Sequence, residues 1–232
     1  MSGLQPAAHG VELLDDPAAS PSLVRESLRN IARANRWFGG AAAVRYGLDR
    51  ALADLPPATR ELSLLDVGTG LGDLPLMAAA WTARRGIMLR PMGLERHGVA
   101  ARLARESGLA ALVGDGGALP FRDDSVDLVL LSQVAHHFAP GAIVTLLREC
   151  DRVARRAVIV ADLRRSGVAA LGFWLAGNIL RFDPDTMRDG ITSLRRGFSS
   201  STLAELLAHA GIRAPVRRRP GARLVAVWHP GA

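Results

Sequence analysis

The sequence contains no lysine and only one cysteine among its 232 residues. Because Cys150 has no partner within the chain, an intrachain disulfide and a cysteine-based zinc cluster are both excluded, and we expect no bound metal. A chain without disulfides suits a reducing compartment, so we expect a cytoplasmic protein. All 29 basic residues are arginine, which indicates a GC-rich coding bias rather than a particular chemistry.

Long apolar runs and dense basic clusters are also missing. The most apolar stretch, Gly167–Leu180, has 14 residues, whereas a membrane-spanning helix needs about 20. Residues 1–20 lack the basic start and the apolar run of a signal peptide. The net charge of +7 is spread along the chain, and Arg217–Arg219 precede a predicted edge strand, where solvated charge is common. We therefore expect neither a transmembrane segment nor a nucleic-acid partner.

Apolar runs of strand length alternate with helical stretches after Glu61. The predicted strands cover Leu62–Val67, Ile87–Leu94, Ala111–Val113, Val126–Leu131 and Ala157–Ala161. The predicted helices cover Leu74–Arg85, Gly98–Ser107, Gly141–Ala154 and Thr202–Ala210. Such alternation is typical of a parallel sheet covered by helices on both faces.

The end of the chain predicts a different local structure. Two short strands, Ile212–Arg217 and Arg223–Trp228, are joined by Pro220–Gly221, which favours an antiparallel hairpin at the sheet edge. The sequence therefore predicts an α/β fold, namely a doubly wound, Rossmann-like, mostly parallel sheet of seven strands with an antiparallel C-terminal hairpin.

Helical additions accompany this sheet. Residues 1–58 are predicted to form an N-terminal arm and a helical extension, with Ser22 as the cap of the first helix and Gly39–Gly40 separating it from the second. Residues 59–232 form the main domain. Within it, an apolar insertion at about residues 166–198 is predicted to be a helical cap over the substrate.

Glycines and carboxylates follow successive predicted strands. The first strand runs into a glycine-rich turn, residues 68–72, whose glycines allow a tight turn and a close approach to a ligand. Glu95 ends the second strand, where a carboxylate can accept hydrogen bonds from both hydroxyls of a ribose. Asp115 follows the third strand, where a carboxylate can accept from the amino group of an adenine. Because ligands of open α/β sheets bind at the carboxyl ends of the strands, these residues predict an adenosine-containing ligand.

A dinucleotide is the alternative ligand. Its fingerprint is G-x-G-x-x-G/A, whereas the glycines here are spaced G-x-G-x-G and Asp73 occupies the position of the third glycine. Asp115 and the pair His136–His137 have no place in that fingerprint. NAD or FAD is therefore the less favoured interpretation.

Four segments together resemble the class I S-adenosylmethionine-dependent methyltransferases, closest to the small-molecule branch that includes quinone and polyketide tailoring enzymes. These segments are LDVGTGLG at 65–72, GLE at 93–95, GDGGALPF at 114–121 and SVDLVLLSQVAHHF at 125–138. The resemblance implies S-adenosylmethionine as the cofactor. It also implies cofactor-binding roles for Asp66, Gly68, Gly70, Glu95, Arg96, Asp115, Gly116, Ser132 and Gln133.

His136 and His137 are the candidate catalytic residues. Histidine titrates near neutral pH, which suits a general base acting on a phenol, and the pair follows the fourth predicted strand. A structural role in that loop is the alternative. Candidate substrate-binding residues come from the N-terminal helix junction, the fifth strand end and the cap: Trp37, Phe38, Arg164, Phe173 and Trp174. Ordinary packing is the alternative for the aromatic ones.

We therefore predict a bacterial enzyme of secondary metabolism that methylates oxygen on a small aromatic, polyketide or quinone-like acceptor. C-methylation of a quinone-type ring and a cofactor-binding protein without catalysis are the alternatives. The fourth strand lacks an Asn-Pro-Pro-Tyr type element, which argues against amino-group methylation of nucleic acids. The apolar cap also leaves open a homodimer and a shallow contact with a membrane.

Overall fold

The computed structural model describes residue 14, residues 18–182 and residues 184–231, so most of the predicted N-terminal arm lies outside the described residues. The described helices are α1 (Pro21–Trp37), α2 (Gly40–Ala51), α3 (Asp73–Ala83), α4 (Gly98–Glu106), α5 (Pro140–Val153), α6 (Gly167–Ile179), α7 (Pro184–Arg196) and α8 (Ser200–His209). The described strands are β1 (Glu61–Val67), β2 (Met88–Glu95), β3 (Ala110–Val113), β4 (Val126–Ser132), β5 (Ala154–Leu163), β6 (Arg217–Arg219) and β7 (Arg223–Trp228).

The strands form a single sheet in the order β3-β2-β1-β4-β5-β7-β6. Strands β1 to β5 are parallel to one another, whereas β7 is antiparallel to both of its neighbours, β5 and β6. The order reverses at β1 and β4, and this reversal opens the crevice in which α/β sheets bind ligands. The predicted fold class, with its antiparallel C-terminal hairpin, is confirmed.

The centre of the sheet is buried on both faces. Leu128–Leu131 of β4 are fully buried, because alternate residues of this strand enter two separate apolar clusters on opposite faces. On one face α2 approaches closely, since a Cβ built at Gly47 would lie 2.3 Å from the Cγ2 atom of Ile159. Only glycine permits that approach, and the helix junction before α2 is thereby held against the sheet.

Helix α1 begins two residues earlier than predicted. Ser20, not Ser22, caps α1, because its side chain accepts a hydrogen bond from the backbone N–H of Leu23. Pro21 is the first helical residue, and a proline there sacrifices no helical hydrogen bond. The predicted Ser22 cap is therefore wrong. The division of the chain at residue 58 stays a prediction.

The first strand of the C-terminal hairpin is shorter than predicted. Residues 212–216 are not in a strand, and β6 begins only at Arg217. Pro215 lies in this stretch and lacks the N–H that a sheet ladder needs, while Ile212 is buried in the core instead. The predicted strand Ile212–Arg217 is therefore wrong over most of its length.

The turn of this hairpin touches the junction of the N-terminal helices. A Cβ at Gly221 would lie 2.3 Å from the carbonyl oxygen of Phe38, and one at Gly39 would lie 2.7 Å from the carbonyl oxygen of Pro220. Both glycines have positive φ, at 74° and 85°. The two turns therefore hold each other in place and fix Phe38 above the end of the sheet.

The predicted cap contains two helices, α6 and α7, which pack on each other between β5 and α8. Over the described ranges, no helix is long and apolar enough to cross a membrane.

Candidate functional site

A cavity of about 1090 Å³ lies at the carboxyl ends of the central strands. Its walls come from the residues that end β1, β2, β4 and β5, from α1, and from the cap helices α6 and α7. Small-molecule sites occupy roughly 300–1,000 Å³. The space therefore suffices for a nucleoside-sized molecule together with a second small molecule.

The glycine-rich turn after β1 forms the floor of this cavity. Gly68 and Gly70 have φ values of 73° and 55°, in the left-handed region that favours glycine. The N–H of Gly68 donates to the carbonyl oxygen of Leu94 at 2.7 Å. A Cβ at Gly68 would lie 2.3 Å from the Cγ2 atom of Val134, so any other residue would displace either Val134 or the turn.

Asp66, the residue before the last of β1, lines the same cavity and is almost completely buried. Its Oδ2 atom accepts a hydrogen bond of 2.8 Å from the Thr69 hydroxyl. Burial, with a smaller contribution from the negative charges of Asp73 and Glu95, raises the pKa of Asp66 to about 8, although the Thr69 hydrogen bond opposes the shift. A positively charged group beside this carboxyl would favour its ionised form.

Both carboxylate oxygens of Glu95 are held by the backbone. The N–H of Gly70 donates to Oε2 and the N–H of His97 donates to Oε1, each at 2.9 Å. A carboxylate oxygen can accept more than one hydrogen bond, so Glu95 retains acceptor capacity in the cavity that it lines. Arg96 lines the cavity as well.

The segment around Asp115 lies only partly in the cavity. Gly114 and Gly116 line it, but Asp115 is exposed and is not among the lining residues. Its Oδ1 atom accepts a hydrogen bond of 2.8 Å from the N–H of Gly117, which folds the side chain back onto its own loop. The predicted contact between Asp115 and an adenine therefore stays a prediction.

A hydrogen-bonded network that the sequence did not reveal surrounds the end of β4. The Gln133 side chain donates to Oδ1 of Asn35 at 2.5 Å and accepts from Nη1 of Arg223 at 2.7 Å. Asn35 in turn donates to Oδ2 of Asp73 at 3.0 Å. Gln133 has a φ of 57°, a strained value for this residue type. The network joins α1, α3, β4 and β7, and it holds Gln133 in this conformation.

Arg223 is the charged member of this network. It is buried, and burial lowers the pKa of its guanidinium to about 10, although the nearby Asp162 carboxylate opposes the shift. Ser132, the residue before Gln133, is buried and donates to the carbonyl oxygen of Ala161 at 3.3 Å. Ser132, Gln133 and Arg223 all line the cavity.

His136 and Asp162 form a buried pair. Nδ1 of His136 lies 2.7 Å from Oδ1 of Asp162, and the backbone N–H groups of Ala135 and Leu163 also donate to this carboxylate. Burial alone would raise the pKa of Asp162. The charge and hydrogen bond of His136, together with the Leu163 N–H and the charge of His137, outweigh burial and lower that pKa.

In the neutral imidazole, an ionised Asp162 places the ring proton on Nδ1, so that Nε2 of His136 is an acceptor. Nε2 is buried and has no hydrogen-bond partner among the described residues. His136 lines the cavity, and so does His137, whose ring centroid is 4.3 Å from that of His136. His136 thus carries one buried nitrogen without a hydrogen-bond partner among the described residues, next to the cavity that the residue lines.

The predicted substrate-binding residues divide into two groups. Phe38, Arg164 and Phe173 line the cavity, and the rings of Phe38 and Phe173 meet edge to face at 5.5 Å. Nε of Arg164 is buried without a hydrogen-bond partner in the described ranges. Trp37 is 70 % exposed and Trp174 lines a separate cavity of about 300 Å³, so the structure brings neither into the main cavity.

His97 is a further cavity residue that was not predicted from the sequence. Both of its ring nitrogens are buried without partners in the described part of the chain, and it lines the cavity two residues after Glu95. Its position beside Glu95 was the available signal. No group of three or more histidine, cysteine, aspartate or glutamate residues suitable for a metal was found among the described residues.

Known proteins resemble this chain in fold and in its central segment. Residues 65–161 match the family described as a methyltransferase domain. An uncharacterized methyltransferase of Mycolicibacterium vanbaalenii is 45 % identical over 80 residues, which are 34 % of this chain and 30 % of that protein. The chain spans well under half the length of the curated relatives that it matches.

Solved structures extend the likeness to almost the whole chain. A methyltransferase dependent on S-adenosylmethionine from Aquifex aeolicus has a TM-score of 0.61 at 17 % identity, covering 91 % of this chain and 98 % of its own. Magnesium protoporphyrin IX methyltransferase of Synechocystis, solved with bound S-adenosylhomocysteine, has a TM-score of 0.55 at 14 % identity, covering 83 % of this chain and 84 % of its own. The fold is therefore the Rossmann-like fold of these methyltransferases, and residues 65–161 match the model of a methyltransferase domain.

Proposed function

We propose that the protein is an S-adenosylmethionine-dependent methyltransferase that methylates an oxygen of a small aromatic or lipophilic acceptor. The observation that carries this proposal is the cavity itself. It combines a glycine cradle and buried acceptors at the ends of β1 and β2 with an unpartnered histidine nitrogen after β4.

The residues at the strand ends suit the cofactor in shape and in donor set. Gly68 and Gly70 provide a cradle that a Cβ would fill or strain, and Glu95 has acceptor capacity for the ribose hydroxyls. Asp66, whose carboxyl is buried, would favour the positively charged methionine end. Arg96, Gly116, Ser132 and Gln133 would complete the site. When bound, the cofactor supplies an electrophilic methyl group.

The chain's own residues would position the acceptor and take its proton. An acceptor hydroxyl that donated to Nε2 of His136 would transfer its proton there, which would leave the acceptor oxygen nucleophilic toward the methyl group that the bound cofactor would supply. The resulting imidazolium is stabilised by the Asp162 carboxylate 2.7 Å from Nδ1. His136 is thus proposed as the general base, and Asp162 as the residue that positions it. His137 lies beside it in the same wall.

The cavity walls also indicate the kind of acceptor. Phe38, from the junction of the N-terminal helices, and Phe173 and other apolar residues of the cap surround the space near β5. These side chains favour an acceptor with an aromatic ring. Arg164, whose Nε has no partner among the described residues, would donate to an anionic or carbonyl oxygen of the acceptor. A small aromatic or quinone-like acceptor meets both requirements.

The direct test is incubation of the protein with methyl-labelled cofactor and a panel of phenols, hydroxyquinones and aromatic hydroxy acids. The proposal expects label in an acceptor ether, identified by mass and by the chemical shift of the methyl group. Label on a ring carbon would show that the protein methylates carbon and would overturn the proposal of O-methylation. Cofactor binding without transfer to any acceptor would favour a protein that has kept the pocket and lost catalysis.

A further inference from the structure

Helix α6 has a large apolar face that the described residues of the chain do not cover. Val168 and Ile179 are 84 % and 81 % exposed, and Leu171 and Leu175 are 59 % and 52 % exposed. Their spacing of three, four and four residues aligns them in one stripe along the helix. Trp174, 49 % exposed, borders the stripe.

The opposite side of α6 explains why this stripe points outward. Gly177 is the one buried residue of the helix, and a Cβ there would lie 2.1 Å from the sulfur of Met187 on α7. Phe173 packs in the same direction against Gly190 of α7. A helix that is apolar all round is normally buried or in contact with lipid. Among the described residues, α6 is packed on one side only.

The charged residues that directly flank α6 in the sequence are positive. Helix α6 contains no charged residue, and the chain has no acidic residue between Asp162 and Asp183. Arg165 and Arg181 flank the helix in sequence and are exposed. Arg165 also lines the small cavity that contains Leu171 and Trp174, together with Arg195.

This arrangement argues against a second copy as the covering partner. A two-fold dimer through α6 would place the helix against itself, so that Arg165 faced either Arg181 or Arg165 of the other copy. Like charges at the rim of an apolar contact oppose association. An anionic surface complements the same charges, and arginines near such a surface strengthen binding to it.

We propose that the outward face of α6 docks on an anionic membrane surface, with Leu171, Leu175 and Ile179 in the apolar boundary and the flanking arginines at the headgroups. Val168, Ala169, Gly172 and Phe173 of the same helix line the main cavity. The helix would therefore separate the lipid boundary from the proposed acceptor space. Docking itself requires neither cofactor nor acceptor, so it is measurable whether or not the proposed methyl transfer is correct.

The test is co-sedimentation of the full chain with vesicles of mixed phosphatidylglycerol and phosphatidylcholine, compared with phosphatidylcholine alone. The proposal expects binding to the anionic vesicles only, accompanied by a blue shift of tryptophan emission. The double variant Leu175→Glu/Ile179→Glu should lower the partition coefficient by about tenfold or more, since two apolar side chains leave the lipid boundary. Arg165→Gln/Arg181→Gln should weaken binding to the anionic vesicles.

The matched control is Met88→Glu/Leu112→Glu, which changes the net charge equally at two apolar residues that are also half-exposed but lie on β2 and β3. This control should retain most of the binding, and circular dichroism verifies that all variants fold. Equal losses in both double variants would overturn the proposal, because general electrostatic attraction would explain them. Absence of vesicle binding would also overturn it, as would a dimer in light scattering that only the α6 variant dissociates.

Discussion

Nδ1 of His136 and Oδ1 of Asp162 lie 2.7 Å apart, and both side chains are buried at the wall of the cavity. The carboxylate fixes both the ring orientation and the tautomer, because it also accepts from two backbone N–H groups. Nε2, which is buried without a partner among the described residues, is therefore the nitrogen of this ring that is left to take a proton.

Replacing this base tests its role. His136→Ala should lower kcat at pH 7 about 10²–10⁴-fold for a phenolic acceptor, with little change in cofactor affinity. Activity should recover as the pH approaches the pKa of the phenol, because the acceptor then loses its proton to solvent. The measurement is the pH profile of kcat, with His209→Ala, an exposed histidine on α8, as the control. An unchanged profile in His136→Ala would leave positioning as the only catalytic contribution.

Asp162→Asn should act through His136 rather than on the acceptor. The amide can donate to Nδ1, which favours the tautomer that carries its proton on Nε2. We expect a lower kcat with a nearly unchanged KM for the acceptor, and a shifted pH profile. A variant that changes KM and leaves the profile in place would assign Asp162 a purely structural role.

Glu95→Ala should weaken cofactor binding by about 1–3 kcal/mol, because buried ribose hydroxyls would lose their acceptor. Calorimetric titration with S-adenosylmethionine measures this loss. Glu106→Ala is the control, since Glu106 pairs with Arg25 on the surface. Equal affinities for the two variants would reject the proposed role of Glu95.

Gly68→Ala should destabilise the turn by about 1–3 kcal/mol, from its positive φ and from the contact with Val134. Adding Val134→Ala should restore part of the stability, because it removes the clash and leaves the φ strain. Urea unfolding measures both variants. Gly98→Ala is the control, since nothing lies within 4 Å of a Cβ there. If Gly68→Ala unfolds at the same urea concentration as the control, the turn does not require glycine.

Asp66 predicts a specific pH dependence of stability. Its pKa in the folded protein is about 8, well above its ordinary value of 3.8. Between those values the folded chain binds a proton that the unfolded chain has lost, so the contribution of Asp66 to stability falls as the pH rises from about 4 to about 8. Asp66→Asn should remove this fall, as measured by urea unfolding of the cofactor-free protein at pH 5 and pH 8. If the free energy of unfolding changed equally with pH in the wild-type protein and in Asp66→Asn, the raised pKa of Asp66 would be contradicted.

The sequence predicted the sheet well because its strands are apolar and doubly covered. The predicted starts of the first helix and of the sixth strand were wrong because a single proline changed the local backbone structure in each case. Pro21 moved the helix start to the Ser20 cap, and Pro215 excluded a strand that apolar content alone favoured. Both are backbone effects that a hydrophobic pattern does not contain.

The site was predictable where its residues follow strands, and less so where distant elements meet. Glu95 and His136 belong to segments whose position at a strand end is visible in the sequence. Arg223 reaches Gln133 across 90 positions of the chain, and no local signal marks it. The Trp37 side chain is exposed to solvent, although that of the next residue, Phe38, lines the cavity. Consecutive residues at a helix end point in different directions, and the sequence does not show which of the two faces the cavity.

The most direct measurement of the central claim is calorimetric titration of the purified protein with S-adenosylmethionine and with S-adenosylhomocysteine. The account predicts saturable binding of both, with one molecule per chain, and a clear loss of affinity in Gly68→Ala and Glu95→Ala that Gly98→Ala does not share. Absence of binding in the folded wild-type protein, or equal binding in all of these variants, would contradict it.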